Sequence, residues 1–219
     1  MSERAYSDIS DLPETFPIFP LNGVILFPGG VLPLNVFEPR YLNMVDDAMS
    51  GDGMIGMVQS LNAGPRHHPD IVDVGTLGRI VHYSETDDGR YLISLEGVCR
   101  FRIDHELEFE RPYRQAFADW SLYADDLQQA KPDVSEREKK TIIRELEDYL
   151  CRNQLRADWD SVEDASPDLL INALSTSCPF SAMEKQALLE AKDLSARAEC
   201  LIALFQMDAS DDGDQTWLN

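Results

Sequence analysis

Short runs of aliphatic, aromatic and β-branched residues, separated by Gly, Pro and Asp-Gly turn signals, fill the first half of the chain. This spacing is typical of a barrel or sandwich built from short strands. Residues 99–104 alternate strictly between apolar and polar side chains, which indicates a strand with one buried face. The pattern predicts seven strands, at 16–21, 31–37, 54–59, 74–83, 91–95, 99–107 and 113–122.

One helix interrupts these strands. Pro39 suits a first helical position, and Gly51 is placed to end the helix. Apolar side chains recur between them at helical spacing, at Tyr41, Leu42, Val45, Ala48 and Met49. Glu38 precedes the first turn, where a carboxylate can accept free N–H groups and meets the positive end of the helix dipole. We expect a helix over 39–50 with Glu38 as its cap.

The second half of the chain predicts three helices. S-x-x-E capping boxes at Ser135 and Ser181 mark two helix starts, and Ser166 followed by Pro167 marks another. Apolar residues then recur every three or four positions, as expected for a small bundle. The inner face of the third helix would carry Leu188, Leu194, Ala198, Leu201, Ile202 and Phe205.

The composition changes between the halves in the same way. Eleven of the twelve glycines lie at or before Gly97, whereas all five lysines follow residue 130, which separates a turn-rich β region from a helical one. The sequence therefore predicts an α+β chain, with a β domain over 12–124, a helical bundle over 133–208, and flexible tails at 1–11 and 209–219.

The formal net charge of -21 sets 40 acidic against 19 basic side chains. Such a surface repels nucleic acid and anionic lipid, so neither is an expected partner. The apolar runs are too short to cross a bilayer, the N-terminus carries no apolar signal segment, and the four cysteines form no CxxC pair. These features predict a cytoplasmic protein with reduced thiols.

Catalytic motifs are weak or missing. Residues 51–56 spell GxGxxG, but this string follows a predicted helix and leads into a strand, the reverse of a dinucleotide site. The sequence has no P-loop, no HExxH and no acid cluster with metal spacing. A Ser-Lys dyad would need one of the five lysines, which are all expected on solvated helix faces. We therefore expect no cofactor, no metal and no catalytic residues.

The stretch Phe27-Pro28-Gly29-Gly30 allows two interpretations. It is either a rigid, exposed apolar loop that binds a partner, or a turn whose Phe27 fills the barrel. The first interpretation predicts that polypeptide segments dock around Phe27, Pro28 and Leu32, and along the helix over 39–50. Burial of apolar area and pairing with an edge strand would then drive binding.

Several ordered motifs between Leu12 and about Trp120 resemble one known family. FPIFPLNGVILFPGGVLPLNVFEPRYLNMV is followed by IGMVQ, VGTLGRI, DDGRYLISLEGVCRFRI and YR. Together they resemble the N-terminal substrate-binding domain of Lon proteases, in particular bacterial members that lack the ATPase and peptidase modules. PFSAMEKQALLEA in the helical part is similar as well. The signature residues, expected to be structural, are Pro20, Leu21, Phe37, Glu38, Pro39, Arg40, Tyr41, Gly78, Arg79, Gly89, Arg90, Tyr91, Arg100 and Phe101.

The resemblance implies a β-rich pseudo-barrel with an inserted helix, joined to a helical bundle. It also implies a non-catalytic module, linked to protein quality control, that binds unfolded or extended polypeptide segments or a protein partner. Two alternatives stay open: an unrecognised hydrolase or peptidase, and a structural or regulatory partner of a cellular protease. The sequence leaves the oligomeric state open.

Overall fold

The computed structural model describes residues 6–61, 68–108, 111–128 and 134–211, with side chains through residue 207. The chain divides into two compact units, 1–130 and 131–219. The described part of the first unit contains strands, one α-helix and two short 3-10 helices, and that of the second contains α-helices. The predicted α+β class is confirmed. The finer domain boundaries, 12–124 and 133–208, stay predictions.

The first unit holds one six-stranded sheet. Its strands are β1 (Thr15–Pro20), β2 (Val31–Val36), β3 (Met54–Ser60), β4 (Ile71–Glu85), β5 (Tyr91–Glu106) and β6 (Gln115–Asp119). Five of them close into a barrel in the order β5-β4-β3-β1-β6, because β6 also pairs with β5. Strand β2 lies outside the closed part and pairs with the first half of β5. The β1–β3 pair is parallel and the other pairs are antiparallel.

The predicted strands at 91–95 and 99–107 are one long strand, so the prediction of seven strands is wrong. Gly97 lies within it and allows a close backbone contact: a Cβ there would stand 2.2 Å from the carbonyl oxygen of Phe27. The Gly97 N–H donates to the Gly30 carbonyl at 2.9 Å, and the Gly97 carbonyl accepts from the Gly29 N–H at 2.8 Å. This glycine therefore marks a close approach between two segments rather than a turn.

Phe27 is 2% exposed and is among the largest fully buried side chains. Its carbonyl accepts the Gly30 N–H at 2.9 Å, which closes a tight turn. The preceding residue is held as well, since the Thr76 hydroxyl donates to the Leu26 carbonyl at 2.6 Å. Phe27 thus fills the interior, and the interpretation of this stretch as an exposed binding loop is wrong for Phe27.

The predicted helix over 39–50 is confirmed as α1 (Pro39–Ser50). It buries Tyr41, Met44 and Val45 in one of two apolar clusters of the first unit. The second cluster centres on Phe16, Phe101 and Trp120, whose rings lie 4.8 to 5.9 Å apart. Neighbouring residues of β3 alternate between the two clusters, so the clusters pack opposite faces of the sheet.

A buried ion pair ties the end of the first unit to β5. Arg100 donates to Asp126 through Nε and an amino nitrogen, both at 2.8 Å, and its backbone N–H donates to the same carboxylate at 3.0 Å. The guanidinium also lies 4.3 Å from the centre of the Tyr123 ring. Asp126 belongs to the short 3-10 helix Ala124–Leu127, so this helix is anchored on the barrel wall.

The described part of the second unit contains α2 (Glu136–Arg152), α3 (Trp159–Asp164), α4 (Pro167–Ser177), α5 (Ala182–Glu190) and α6 (Leu194–Asp211). The capping boxes at Ser135 and Ser181 are confirmed. The third predicted helix is in fact two, because the Asp193 carboxylate accepts the Ala196 N–H at 2.8 Å and starts a new helix. Within the described ranges, no helix has the length and apolar content needed to cross a membrane.

Basic side chains close several helix ends in this unit. Lys139 is 9% exposed, and its Nζ donates to the Glu163 and Ala165 carbonyls at 2.5 and 2.7 Å. Lys185 donates to the Thr176 carbonyl at 2.9 Å. The expectation that all lysines are solvated is therefore wrong for Lys139, because the end of α3 needs a donor for its last carbonyls.

The two predicted tails are described only in part. Residues 9–11, in the N-terminal tail, form a 3-10 helix capped by Asp8. Residues 209–211, in the C-terminal tail, belong to the backbone of α6. Residues 1–5 and 212–219 lie outside the described part of the chain.

We predict that Phe27→Ala lowers the free energy of unfolding by about 3 to 5 kcal/mol, because it leaves a cavity in the interior. Phe37→Ala is the matched control, since Phe37 is 63% exposed, and should change stability by less than about 0.5 kcal/mol. Urea denaturation measures both. Equal losses for the two variants would contradict the burial of Phe27.

We predict that Asp126→Ala destabilises the protein by about 3 to 5 kcal/mol, because it leaves the Arg100 guanidinium buried without its carboxylate. The double variant Arg100→Met/Asp126→Leu should be more stable than Asp126→Ala, since it removes both buried charges. Arg102→Met, which breaks a half-exposed ion pair on the same strand, should cost about 1 kcal/mol or less. Thermal or chemical unfolding measures all three variants, and a double variant that is no more stable than Asp126→Ala would argue against the buried pair.

Candidate functional site

Along the edge strand β2, exposed side chains alternate with half-buried or buried ones. Val31, Pro33, Asn35 and Phe37 are exposed, whereas the residues between them are half-buried or buried. Val31 is 61% exposed within the paired strand, and Phe37, just after it, is 63% exposed. Phe37 continues the alternation one residue beyond the strand.

Strand β5 extends this exposed surface. Leu92 lies directly opposite Asn35 in the β2–β5 register, so both side chains are on the same face. Leu92 is 41% exposed. We call the surface formed by Val31, Pro33, Phe37 and Leu92 the outer β2 face. Its far end is bounded by a salt bridge of 2.7 Å between Arg79 and Glu96, where Glu96 lies opposite Val31.

The free edge of β2 is poorly suited to strand addition. The Gly97 N–H donates to the Gly30 carbonyl, so the alternate residues Leu32, Leu34 and Val36 turn their backbone groups toward β5. Pro33 then lies on the outward-facing side and offers no N–H to an added strand. Within the described residues no strand covers this edge. The geometry therefore favours docking on side chains over the edge-strand pairing expected from the sequence.

The predicted polypeptide-binding residues do not come together as an exposed site. Leu32 is half-buried and packs against the cluster beneath α1, and its contact with a polypeptide stays a prediction. A shift of one residue reverses the face of a strand, and Val31 and Pro33 point outward in its place. Pro28 is half-buried at the turn, and its contact with a polypeptide stays a prediction.

Glu38 lies at the N-terminal cap position of α1, but its carboxylate makes no capping hydrogen bond. It accepts instead from Arg40 Nε at 3.0 Å. The Arg40 guanidinium stands 4.4 Å from the centre of the Tyr41 ring, and that ring packs 4.3 Å from Phe19. The expected side-chain cap is wrong. Glu38 instead holds the Arg40 guanidinium at the first turn of α1, where the guanidinium packs on the Tyr41 ring.

Two signature residues extend β1. Pro20 ends the strand and is buried. Leu21 continues its pairing, because its N–H donates to the Val58 carbonyl at 3.0 Å and its carbonyl accepts the Ser60 N–H at 3.3 Å. Gly78 leaves room for packing, since a Cβ there would lie 3.1 Å from the Leu26 and Leu95 side chains. These contacts support the barrel and reach no open surface.

Three more signature residues, Gly89, Arg90 and Tyr91, lie at the turn of the β4–β5 hairpin. Gly89 adopts a φ of +77° at the turn, which favours glycine. Asp88 pairs with Arg90 at 2.7 Å, and hydrogen bonds from Arg90 and Thr86 lower the pKa of Asp88 to about 2. Tyr91 lies 5.1 Å from Tyr83 in ring centres, and hydrogen bonds with Asp46 on α1 and with Tyr83 raise the pKa of Tyr91.

The GxGxxG string serves the end of α1. The Gly51 and Gly53 N–H groups both donate to the Ala48 carbonyl, at 3.0 and 2.9 Å, so these two amides close the helix and do not point at a phosphate. Among the described side chains, no three of His, Cys, Asp or Glu are grouped to hold a metal ion. Burial raises the pKa of the Cys99 thiol to about 12, far from that of a reactive thiolate.

Sequence reasoning missed Val31, Pro33 and Leu92 as surface residues. The sequence does contain a signal for Val31 and Pro33, because these two positions alternate with the aliphatic Leu32, Leu34 and Val36. Assigning Leu32, Leu34 and Val36 to the core would have placed Val31 and Pro33 outward. Leu92 needed the strand register, which the sequence does not contain.

The sequence profile of the ATP-dependent protease La (LON) substrate-binding domain matches residues 15–206. A Lon protease of Cytophaga hutchinsonii is 29% identical over 94% of this chain and 26% of its own length. A Lon protease of Flavobacterium johnsoniae is 30% identical over 86% of this chain and 23% of its own length. The chain thus spans about a quarter of the length of these curated relatives.

A solved structure has the same fold. The crystal structure of a Lon N-terminal domain protein from Xanthomonas campestris superposes with a TM-score of 0.58 at 23% identity, and the match covers 86% of this chain and 97% of that one. The profile match extends across both compact units. The chain belongs to the family of the LON substrate-binding domain.

Proposed function

We propose that this domain binds segments of polypeptide on the outer β2 face and does not cleave them. The family description, a substrate-binding domain, supports a recognition role. The matching relatives are named Lon proteases, and this chain aligns with about a quarter of their length. The proposal therefore concerns recognition alone and leaves ATP-dependent proteolysis to those proteins.

The observation that carries the proposal is the exposure of Val31 and Phe37. Each is more than 60% exposed, although Val31 lies in a strand paired with β5 and Phe37 directly follows that strand. Burying such side chains against a partner contributes about 25 cal/mol for each Å² of apolar surface. A small face without fixed hydrogen-bond partners suits weak binding that tolerates many apolar sequences.

The surroundings of the candidate catalytic groups also support binding over catalysis. His105 pairs with Asp104 at 2.8 Å and stacks on Phe117 with ring centres 4.4 Å apart. Lys139 donates to two backbone carbonyls as a helix cap. Neither arrangement places a nucleophile beside a base, which peptide hydrolysis by these groups would need.

We predict that a synthetic, unstructured peptide in which Leu and Phe alternate with Ser and Gly binds this protein. Phe37→Ser and Leu92→Ser should each raise its Kd about fivefold or more, because they remove exposed apolar contacts. Leu122→Ser is the matched control, since Leu122 is 60% exposed and lies outside the outer β2 face; its Kd should stay within about twofold. Fluorescence anisotropy of the labelled peptide measures all four proteins.

Two results would contradict the proposal. The first is a Kd that changes as much in Leu122→Ser as in Phe37→Ser, which would mean nonspecific apolar contact. The second is cleavage of the peptide by the protein, abolished by a single substitution. Mass spectrometry of the peptide after incubation detects the second.

A further inference from the structure

One histidine lies on the same side of the sheet as the outer β2 face. His82 on β4 is directly opposite Ser94 on β5, and Ser94 is directly opposite Pro33 on β2. Directly opposite residues of antiparallel strands share a face, so His82 and Pro33 stand in one row across three strands. Neighbouring strands lie about 4.8 Å apart, which puts these two residues about 10 Å from each other. The proposed function does not use this histidine.

Leu92 brings the histidine closer to the outer β2 face. Leu92 lies directly opposite Ser84, which is two residues along β4 from His82. It is therefore a diagonal neighbour of His82, and such neighbours lie about 7 to 8 Å apart, within reach of long side chains. An extended segment that packs on both Leu92 and Pro33 therefore also meets the imidazole.

The imidazole of His82 is exposed. Among the described residues it has no hydrogen-bond, ion-pair or ring partner. His105 on β5 is different, since it pairs with Asp104 at 2.8 Å and stacks on Phe117. A polypeptide that covers His82 thus removes water from the ring nitrogens, and it decides which charge state of the ring is favoured.

The charged groups around this histidine are paired with each other. On the same face, Arg79 on β4 and Glu96 on β5 form a salt bridge of 2.7 Å. At the hairpin turn, Asp88 pairs with Arg90, also at 2.7 Å. Glu85 belongs to the opposite face of β4, and strand β2 carries no charged residue. The charge that varies at the centre of this face is therefore that of the imidazole.

The charge state of an imidazole responds to burial. Cover by apolar atoms disfavours the charged form. A histidine ordinarily changes its charge between about pH 5 and 8. An apolar segment laid over His82 therefore binds best to the neutral ring, and a charged ring must first release its proton. The affinity is full at the alkaline end of this range and falls as the pH falls.

We propose that His82 is a contact residue of the polypeptide-binding surface and that its neutral form selects apolar, uncharged segments. The inference rests on the proposed function and adds a determinant of specificity on β4. Binding of such segments weakens as the ring gains a proton.

The test measures the Kd of the alternating Leu/Phe peptide at pH 8 and at pH 5.5 by fluorescence anisotropy. Both ends of the peptide are capped and the dye is uncharged, so the peptide has no titrating group and responds little to the net charge of the protein. We expect the Kd to be about two- to sixfold higher at pH 5.5. This range follows if burial moves the titration of one histidine by about half to one pH unit.

Two substitutions locate the effect. His82→Gln replaces the ring by a side chain that is neutral at both pH values, so the ratio of its two Kd values should fall to about one. His105→Gln is the matched control, because His105 is also an exposed histidine and lies at the other end of β5, where it is opposite Phe117 of β6. This control should keep the wild-type ratio.

A measurement on the wild-type protein tests the contact directly. In ¹H NMR spectra, the ring-proton signals of His82 are assigned from their loss in His82→Gln. The midpoint of their shift against pH should move to lower pH by about half a unit or more in saturating peptide. The signals of His105 should titrate as they do without peptide.

Each outcome decides one question. Equal Kd values at the two pH values in the wild-type protein overturn the His82 inference and leave the proposed function standing. A pH effect that persists in His82→Gln, or an unmoved His82 titration in saturating peptide, overturns the inference as well. Absence of binding at both pH values overturns the proposed function, and the His82 inference with it.

Discussion

The backbone of β5 at Gly97 packs against the carbonyl of Phe27 so closely that a Cβ at this position would stand 2.2 Å from the carbonyl oxygen. Strand β5 pairs with β2 on one side of this contact and with β6 on the other. The same contact holds the Phe27–Gly30 turn through two hydrogen bonds from and to Gly97. β2 begins directly after this turn and pairs with β5 in a register that leaves Val31 and Pro33 exposed and Leu32 half-buried. The outer β2 face therefore depends on a glycine that lies beneath it.

Local signals predicted the elements whose causes lie within a few residues. Helix α1 followed from Pro39 and Gly51, and the starts of α2 and α5 from their capping boxes. The errors arose where distant contacts decide. Gly97 separates two predicted strands in the sequence, but in the structure it lies within one strand, against the carbonyl of Phe27. Glu38 is predicted to cap α1, but its carboxylate binds Arg40. The break before α6 was available from Asp193, an N-cap residue inside an otherwise continuous apolar pattern. The face of Leu92 required the strand register, so the candidate site could be predicted only in part.

The scarcity of basic side chains shapes the molecule as much as the apolar pattern does. In the first unit, Arg100 pairs with Asp126 and Arg79 pairs with Glu96. In the second unit, Lys139 and Lys185 donate hydrogen bonds to backbone carbonyls at helix ends. Over the whole chain, 40 acidic side chains stand against 19 Lys and Arg. Under the proposed function, the net charge of -21 favours polypeptides that carry basic residues and disfavours acidic ones.

The most direct test of the central claim is site-specific photo-crosslinking to the alternating Leu/Phe peptide. A benzophenone side chain is placed at the position of Phe37 in one protein and of Leu122 in another, two residues that are 63% and 60% exposed. Docking on the outer β2 face predicts a high yield of crosslinked peptide from position 37 and little from position 122. Similar yields from the two positions, or a higher yield from position 122, would contradict the account.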